Sequence, residues 1–154
     1  MTYQNLLEEA ESEGVEVIEN CNIRGLKGLY IDGIISLSNN ISCQKEKKCV
    51  LAEELGHHYT SFGNILNQKE ISNIKQEQKA RRWAYERLVN FDDLIAAYEE
   101  GVKNRYELSL FLEVTEKFLE KAVEYYRMKY GTYYKYKNVV IYFEPLGILK
   151  GGKL

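Results

Sequence analysis

The spacing of apolar positions changes several times along this chain, and each change marks an element. Leu6, Leu7 and Ala10 recur at helical spacing and predict a first helix stopped by Gly14. Val15 and Val17 then alternate with polar residues as far as Asn20, the period of a half-buried strand. Two apolar runs follow, Leu29-Tyr30-Ile31 and Ile34-Ile35-Ser36-Leu37, with Asp32-Gly33 between them. Asp-Gly accepts the positive φ angles of a tight type I′ turn, so this segment predicts a hairpin.

From there the pattern turns helical. Ser42 is placed to cap a helix running to about Phe62, with Gly63 able to take the left-handed C-terminal position. A second long helix is expected over 69–89, and a third opens at Asp92 or Asp93 and ends at Gly101. Shorter helices are predicted at 105–112 and 115–130, the latter stopped by Gly131, and a strand over 138–143. Pro145-Leu146-Gly147 should end the ordered part, leaving 150–154 as a loose tail. Together these elements predict an α+β fold, a small antiparallel sheet packed on several helices.

Length and composition narrow the picture only modestly. A chain of 154 residues can bury a real core as one domain, or as one domain with a small appendage. Its proportions of 45% hydrophobic and 29% charged residues are those of a soluble globular protein. No apolar run approaches the ~20 residues that cross a bilayer, and the N-terminus leads into an acidic amphipathic stretch unlike a secretion signal. Cys21, Cys43 and Cys49 are irregularly spaced without a CxxC pair, which points to reduced thiols in a cytoplasm. Cys43 and Cys49 lie six residues apart on one helix and point different ways, so they read as bystanders rather than ligands. Residues 1–100 carry 11 basic and 17 acidic side chains, whereas 101–154 carry 10 and 6. That modestly basic final third reads as solvated surface on charge alone.

The chemistry is concentrated in Ala52-Glu53-Glu54-Leu55-Gly56-His57-His58. In a zinc-peptidase HExxH helix the outer pair, four residues apart, shares one face and can reach one metal ion. The second position supplies a carboxylate base toward the attacking water. Here the outer pair is Glu53 and His57 and the candidate base is Glu54. Glu53 stands where that motif has histidine, and carboxylate oxygen is also a zinc ligand. A catalytic zinc needs a third protein ligand, and Glu77 on the next predicted helix is the candidate. Glu77 shares a helical face with Ala80, Ala84 and Leu88, where a carboxylate needs a partner; a salt bridge to Arg81 at i+4 is the plainer alternative. Glu54 and His58 are also four apart and form a second frame, which lacks an acid at the following position. His58, Tyr59 and Tyr30 are further candidates to line the cleft or donate to an oxyanion. The two histidines of the chain both fall inside this one motif.

Glu54-Leu55-Gly56-His57, followed about twenty residues later by Glu77-x-x-Ala80-x-x-Trp83-Ala84, resembles the ImmA/IrrE-type metallopeptidases of prophages and mobile elements. The hairpin ahead of the motif also resembles their sheet, so the resemblance covers roughly residues 5–90. It implies a zincin-like core over 1–90, with 91–154 as a helical extension packed on it. It further implies a zinc endopeptidase that cleaves a helix-turn-helix repressor of a phage or mobile element. By position, Glu53, His57 and Glu77 would be the ligands of one Zn²⁺ and Glu54 the base. The alternative is a catalytically inactive protein of the same fold that binds a repressor or DNA. With two carboxylates nearly cancelling the metal's charge, bound water would be less acidified than in a histidine-rich site.

Residues 107–123 have the rhythm of a helix-turn-helix, and the tyrosine-rich stretch 132–143 could fold back as a wing. Glu116, Lys117, Glu120, Lys121 and Glu124 make a poor surface for base edges. Packing or docking of a protein partner is therefore favoured over DNA for this part.

Overall fold

The computed structural model describes residues 1–61 and 70–150, with side chains from 73 onward in the second stretch. The chain divides into two compact units, Met1–Leu88 and Val89–Leu154. It is α+β, and six helices and two three-stranded sheets appear among the described residues.

The first unit opens with α1 (Tyr3–Ser12), where Thr2 and Asn5 form a reciprocal capping box. Leu6 and Ala10, one turn apart, are wholly buried. Strands β1 (Glu16–Cys21), β2 (Gly28–Ile31) and β3 (Ile34–Ser38) form a sheet in the order β1-β3-β2. The hairpin forms as the Asp-Gly pair predicts, with φ +48° at Asp32 and +78° at Gly33. β1 nevertheless pairs with β3 in parallel, so the sheet is mixed rather than wholly antiparallel. The chain carries β2 past β3 before turning back, and β3 therefore runs the same way as β1.

Helix α2 (Gln44–Thr60) crosses this sheet, and α3 (Glu70–Leu88) packs along α2. Ile35 and Leu37 of β3, Leu51, Ala52 and Leu55 of α2, and Ala80 and Ala84 of α3 are fully buried in the core of this unit. The helix begins one residue later than the cap signal suggests. Cys43 is its N-cap and makes no side-chain capping bond. Ser42 acts one step outside, donating its hydroxyl to the Glu46 carboxylate at 2.6 Å. At the other end the Ser61 N–H closes on the His57 carbonyl at 2.9 Å. The predicted end at Phe62 and Gly63 lies outside the described residues.

The second unit holds α4 (Phe91–Glu99), α5 (Arg105–Leu112) and α6 (Glu116–Tyr130). Asn90, Asn104 and Thr115 cap them through side-chain oxygens. Glu113, in the left-handed conformation, makes the turn between α5 and α6. An antiparallel meander follows, β4 (Tyr133–Tyr136), β5 (Val139–Phe143) and β6 (Leu146–Lys150). The expected end of order at Pro145-Leu146-Gly147 is corrected here, because Leu146–Lys150 pairs with β5 along its whole length; the rest of the predicted tail, 151–154, lies outside the described residues. Leu146 and Ile148 stand opposite Phe143 and Ile141, so the alternation is apolar on the inward side. Gly147 and the following glycines mask that pattern in the sequence. Phe91 anchors the core of this unit, its ring 4.9 Å from Tyr126, 5.3 Å from Tyr136 and 5.5 Å from Tyr134. The buried Tyr126 hydroxyl donates to the Val89 carbonyl at 2.7 Å. Among the described residues, no helix is long and apolar enough to cross a membrane.

Candidate functional site

Successive residues of a helix point about 100° apart, so the two overlapping pairs of α2 look in different directions. His57 is turned toward α3, where its Nε2 stands 3.0 Å from Glu77 Oε1. The other oxygen of Glu77 lies 3.9 Å from Arg81, one turn further along α3. The Arg81 salt bridge expected as the plainer partner of Glu77 is thus present, and His57 across the interface takes its other oxygen.

The adjacent row, Glu54 and His58, is turned toward β2. A Cβ built on Gly28 would stand 2.6 Å from Val50, 2.9 Å from Glu54 Cγ and 3.0 Å from Glu54 Oε1. Gly28 is therefore what lets strand and helix close over the Glu54 carboxyl. Two residues along the same face of β2, the Tyr30 hydroxyl makes a 2.8 Å hydrogen bond with His58 Nδ1. On its far side His58 Nε2 meets Glu13, 3.5 Å away at the C-terminal end of α1.

Close approach of α2 and α3 depends on Gly56. A Cβ there would come within 2.3 Å of the Ala80 carbonyl oxygen and 2.9 Å of its carbon, both backbone atoms. Gly56 precedes His57 and Ala80 lies three residues after Glu77, so this contact sets the imidazole–carboxylate distance. A glycine inside a helix costs about 1 kcal/mol against alanine, and close backbone packing is the reason to accept it here.

The electrostatics follow from this crowding. Glu54 is 9% exposed, and burial pushes its pKa up to about 7. The neighbouring His57 works against that rise, while Glu77 and Glu53 add to it. Burial disfavours the charged form of His57, but the Glu77 hydrogen bond and the surrounding carboxylates outweigh it, and its pKa stands above the ordinary value. The same hydrogen bond holds Glu77 below the usual carboxylate range, against its partial burial.

Tyr59 sits beside His58, their ring centroids 5.2 Å apart. Its ring stacks on Trp83 at 4.9 Å, and burial followed by Glu13 raises its hydroxyl pKa. Glu13 thus serves both His58 and Tyr59 from another element far back in the chain, a role for which the sequence carried no signal. Replacing Tyr30 by phenylalanine should cost about 1 kcal/mol in urea unfolding, the net worth of one hydrogen bond. It should leave zinc affinity unchanged, because the His57–Glu77 pair lies on the other row; a drop in zinc affinity would count against that separation.

The donor chemistry at His57 and Glu77 fits a zinc ion. An imidazole nitrogen and a carboxylate oxygen are both donors that zinc takes. Glu53 is partly buried and near enough to act electrostatically on both His57 and Glu54. Among the described residues, however, no group of three histidine, cysteine, aspartate or glutamate side chains is gathered to hold a metal. Cys49 is buried and Cys43 exposed, and neither forms a disulfide.

Comparison with curated proteins and with solved structures found no match. A family model does match, over residues 10–124: Peptidase_M78, described as the IrrE N-terminal-like domain.

Proposed function

The chain belongs to the Peptidase_M78 family of IrrE N-terminal-like domains, and from that premise we propose that it is a zinc-dependent endopeptidase acting on one specific protein. The observation that carries this reading is the His57–Glu77 pair, 3.0 Å apart across two helices beside a buried glutamate. His57 and Glu77 would hold the ion together with Glu53. Zinc in such a site polarises a carbonyl and acidifies water.

The remaining work falls to the chain itself. Glu54 is enclosed by Gly28, Val50 and the motif helix, and its elevated pKa near 7 suits a group that takes up and returns a proton at neutral pH. β2 is an edge of its sheet, so its outer backbone groups can take an extended substrate by strand addition. Tyr30, on that strand, would serve as the oxyanion donor by accepting from His58 Nδ1–H, which leaves its own O–H for the substrate. The family resemblance supplies the substrate class, a helix-turn-helix repressor of a phage or mobile element.

Zinc titration of the purified chain tests the centre directly. About one ion per chain is expected, lost on His57→Ala or Glu77→Ala and held more tightly on Glu53→His. Wild-type protein that refuses added zinc would sink the reading. Repressor cleavage is tested by co-expression with helix-turn-helix repressors of phages and mobile elements, where discrete fragments should form and vanish with Glu54→Gln.

One observation favours a second reading, in which the fold grips its partner without hydrolysis. Glu53 leaves three carboxylates around one imidazole, and the described residues gather no three-ligand group. Regulation that survives alanine at both Glu54 and His57 would decide for it.

A further inference from the structure

We propose that the outer face of the β4-β5-β6 sheet binds a single strand of nucleic acid. The inference is independent of the zinc centre, since it rests on residues of the second unit alone. Strand register places Tyr133, Tyr142 and Gly147 in one row across the sheet, and Lys135, Val140 and Leu149 in the next. Alternate residues, Val139, Ile141 and Phe143, point the other way and are buried. The outward rows thus carry two tyrosines, a lysine, two aliphatic residues, a glycine and no acid.

Their exposure is unusual for such side chains. Tyr133 is 58% and Leu149 51% exposed, and Lys135 is exposed between them. The Tyr133 and Tyr142 rings lie 5.9 Å apart and inclined at 45°, so each keeps an aromatic surface at the face. Beside them Gly147 leaves open space where a Cβ would stand. The local charge is one-sided as well, because residues 125–143 include Arg127, Lys129, Lys135 and Lys137 and no aspartate or glutamate. Arg127 and Lys137 are engaged by Glu144 and Asp92, and Lys129 lies over the Tyr125 and Tyr130 rings. Lys135 remains on the face beside the tyrosine pair.

Aromatic rings at a sheet face with a cation beside them are what an unpaired strand needs. Each base offers a flat π surface to stack, and the phosphate that follows takes the lysine. A duplex hides those surfaces, and α6 would meet it with Glu116, Glu120 and Glu124, all exposed. A peptide strand would use a sheet edge rather than tyrosine rings standing on the face.

The test is fluorescence anisotropy of the full chain with labelled oligothymidylate, oligouridylate and a duplex of equal length at low salt. Saturable binding of one or both single strands, stronger than the duplex, is expected; a preference between them would identify DNA or RNA as the ligand. Tyr133→Ala combined with Tyr142→Ala should weaken binding about tenfold or more. Lys135→Glu should weaken it and flatten its salt dependence, whose slope is about −0.7 per phosphate neutralised. Tyr133 and Lys135 are exposed and Tyr142 is half-buried, so circular dichroism should not change and stability should fall by no more than about 1 kcal/mol, the worth of a cross-strand ring pair. No saturable binding at low salt would overturn the proposal, as would binding indifferent to both variants. A double variant that alters only the oligomeric state would overturn it too, assigning the face to contact between copies of the chain.

Discussion

Gly56→Ala should lower the unfolding free energy by about 3 kcal/mol, the upper part of the range for overpacking a core. The added methyl would stand 2.3 Å from the Ala80 carbonyl oxygen, and backbone cannot swing aside as a flexible side chain can. Relief requires α2 and α3 to separate, and separation pulls His57 away from Glu77. Two readouts should therefore fall together, the urea midpoint and the affinity for zinc. An alanine variant as stable as wild type would show that the helices have slack at this crossing. One that loses stability but keeps full zinc affinity would show that the ligand pair is positioned by something other than this contact.

The second large effect concerns Glu54, and its two consequences have opposite sign. Glu54→Gln should lower peptide hydrolysis by about 10²–10⁴-fold, the usual worth of a general base, while leaving zinc in place. In metal-free protein the same change should be stabilising above neutral pH. The Glu54 pKa is near 7 in the folded chain against 4.5 unperturbed, chiefly because the carboxyl is buried. Between those values the folded state holds a proton that the unfolded state has released, so stability falls as pH rises through the window. By pH 8 the wild type bears nearly the full cost of a buried charge, on the order of 3 kcal/mol, and glutamine bears none. Melting curves of both proteins in chelator should therefore coincide near pH 4.5 and separate by pH 8, with the variant higher. Parallel curves across that range would mean Glu54 ionises freely in the folded protein.

Much of this is legible in the sequence itself, and the parts that are not have physical causes. The hairpin was readable because Asp32-Gly33 dictates its own backbone. The motif helix was readable because its chemistry repeats every four residues. α6 was readable because Thr115 and Gly131 mark its ends. β6 was missed because its period-two signal rests on only Leu146 and Ile148, with glycine between them. The parallel pairing of β1 was hidden since strand direction depends on where the chain crosses, which local pattern does not record. Within the site, the opposition of His57 and Glu77 follows from helical spacing and the family pattern. The engagement of His58 by Glu13 and Tyr30 does not, because it joins three elements far apart in sequence. Gly56 was visible as a letter in the motif, but its reason, the Ala80 backbone behind it, lies on another helix.

The placement of the two histidines has a practical corollary. They are neighbours in sequence, yet one reports on the seam between α2 and α3 and the other on the seam between α2 and β2. With no other imidazole in the chain, a proton–nitrogen spectrum of the rings would contain just two spin systems, already assigned by the variants above. Zinc should move the His57 signals, whereas a ligand lying along the edge strand should move those of His58. A single sample could then follow occupation of the two sides of the helix separately, without any introduced label.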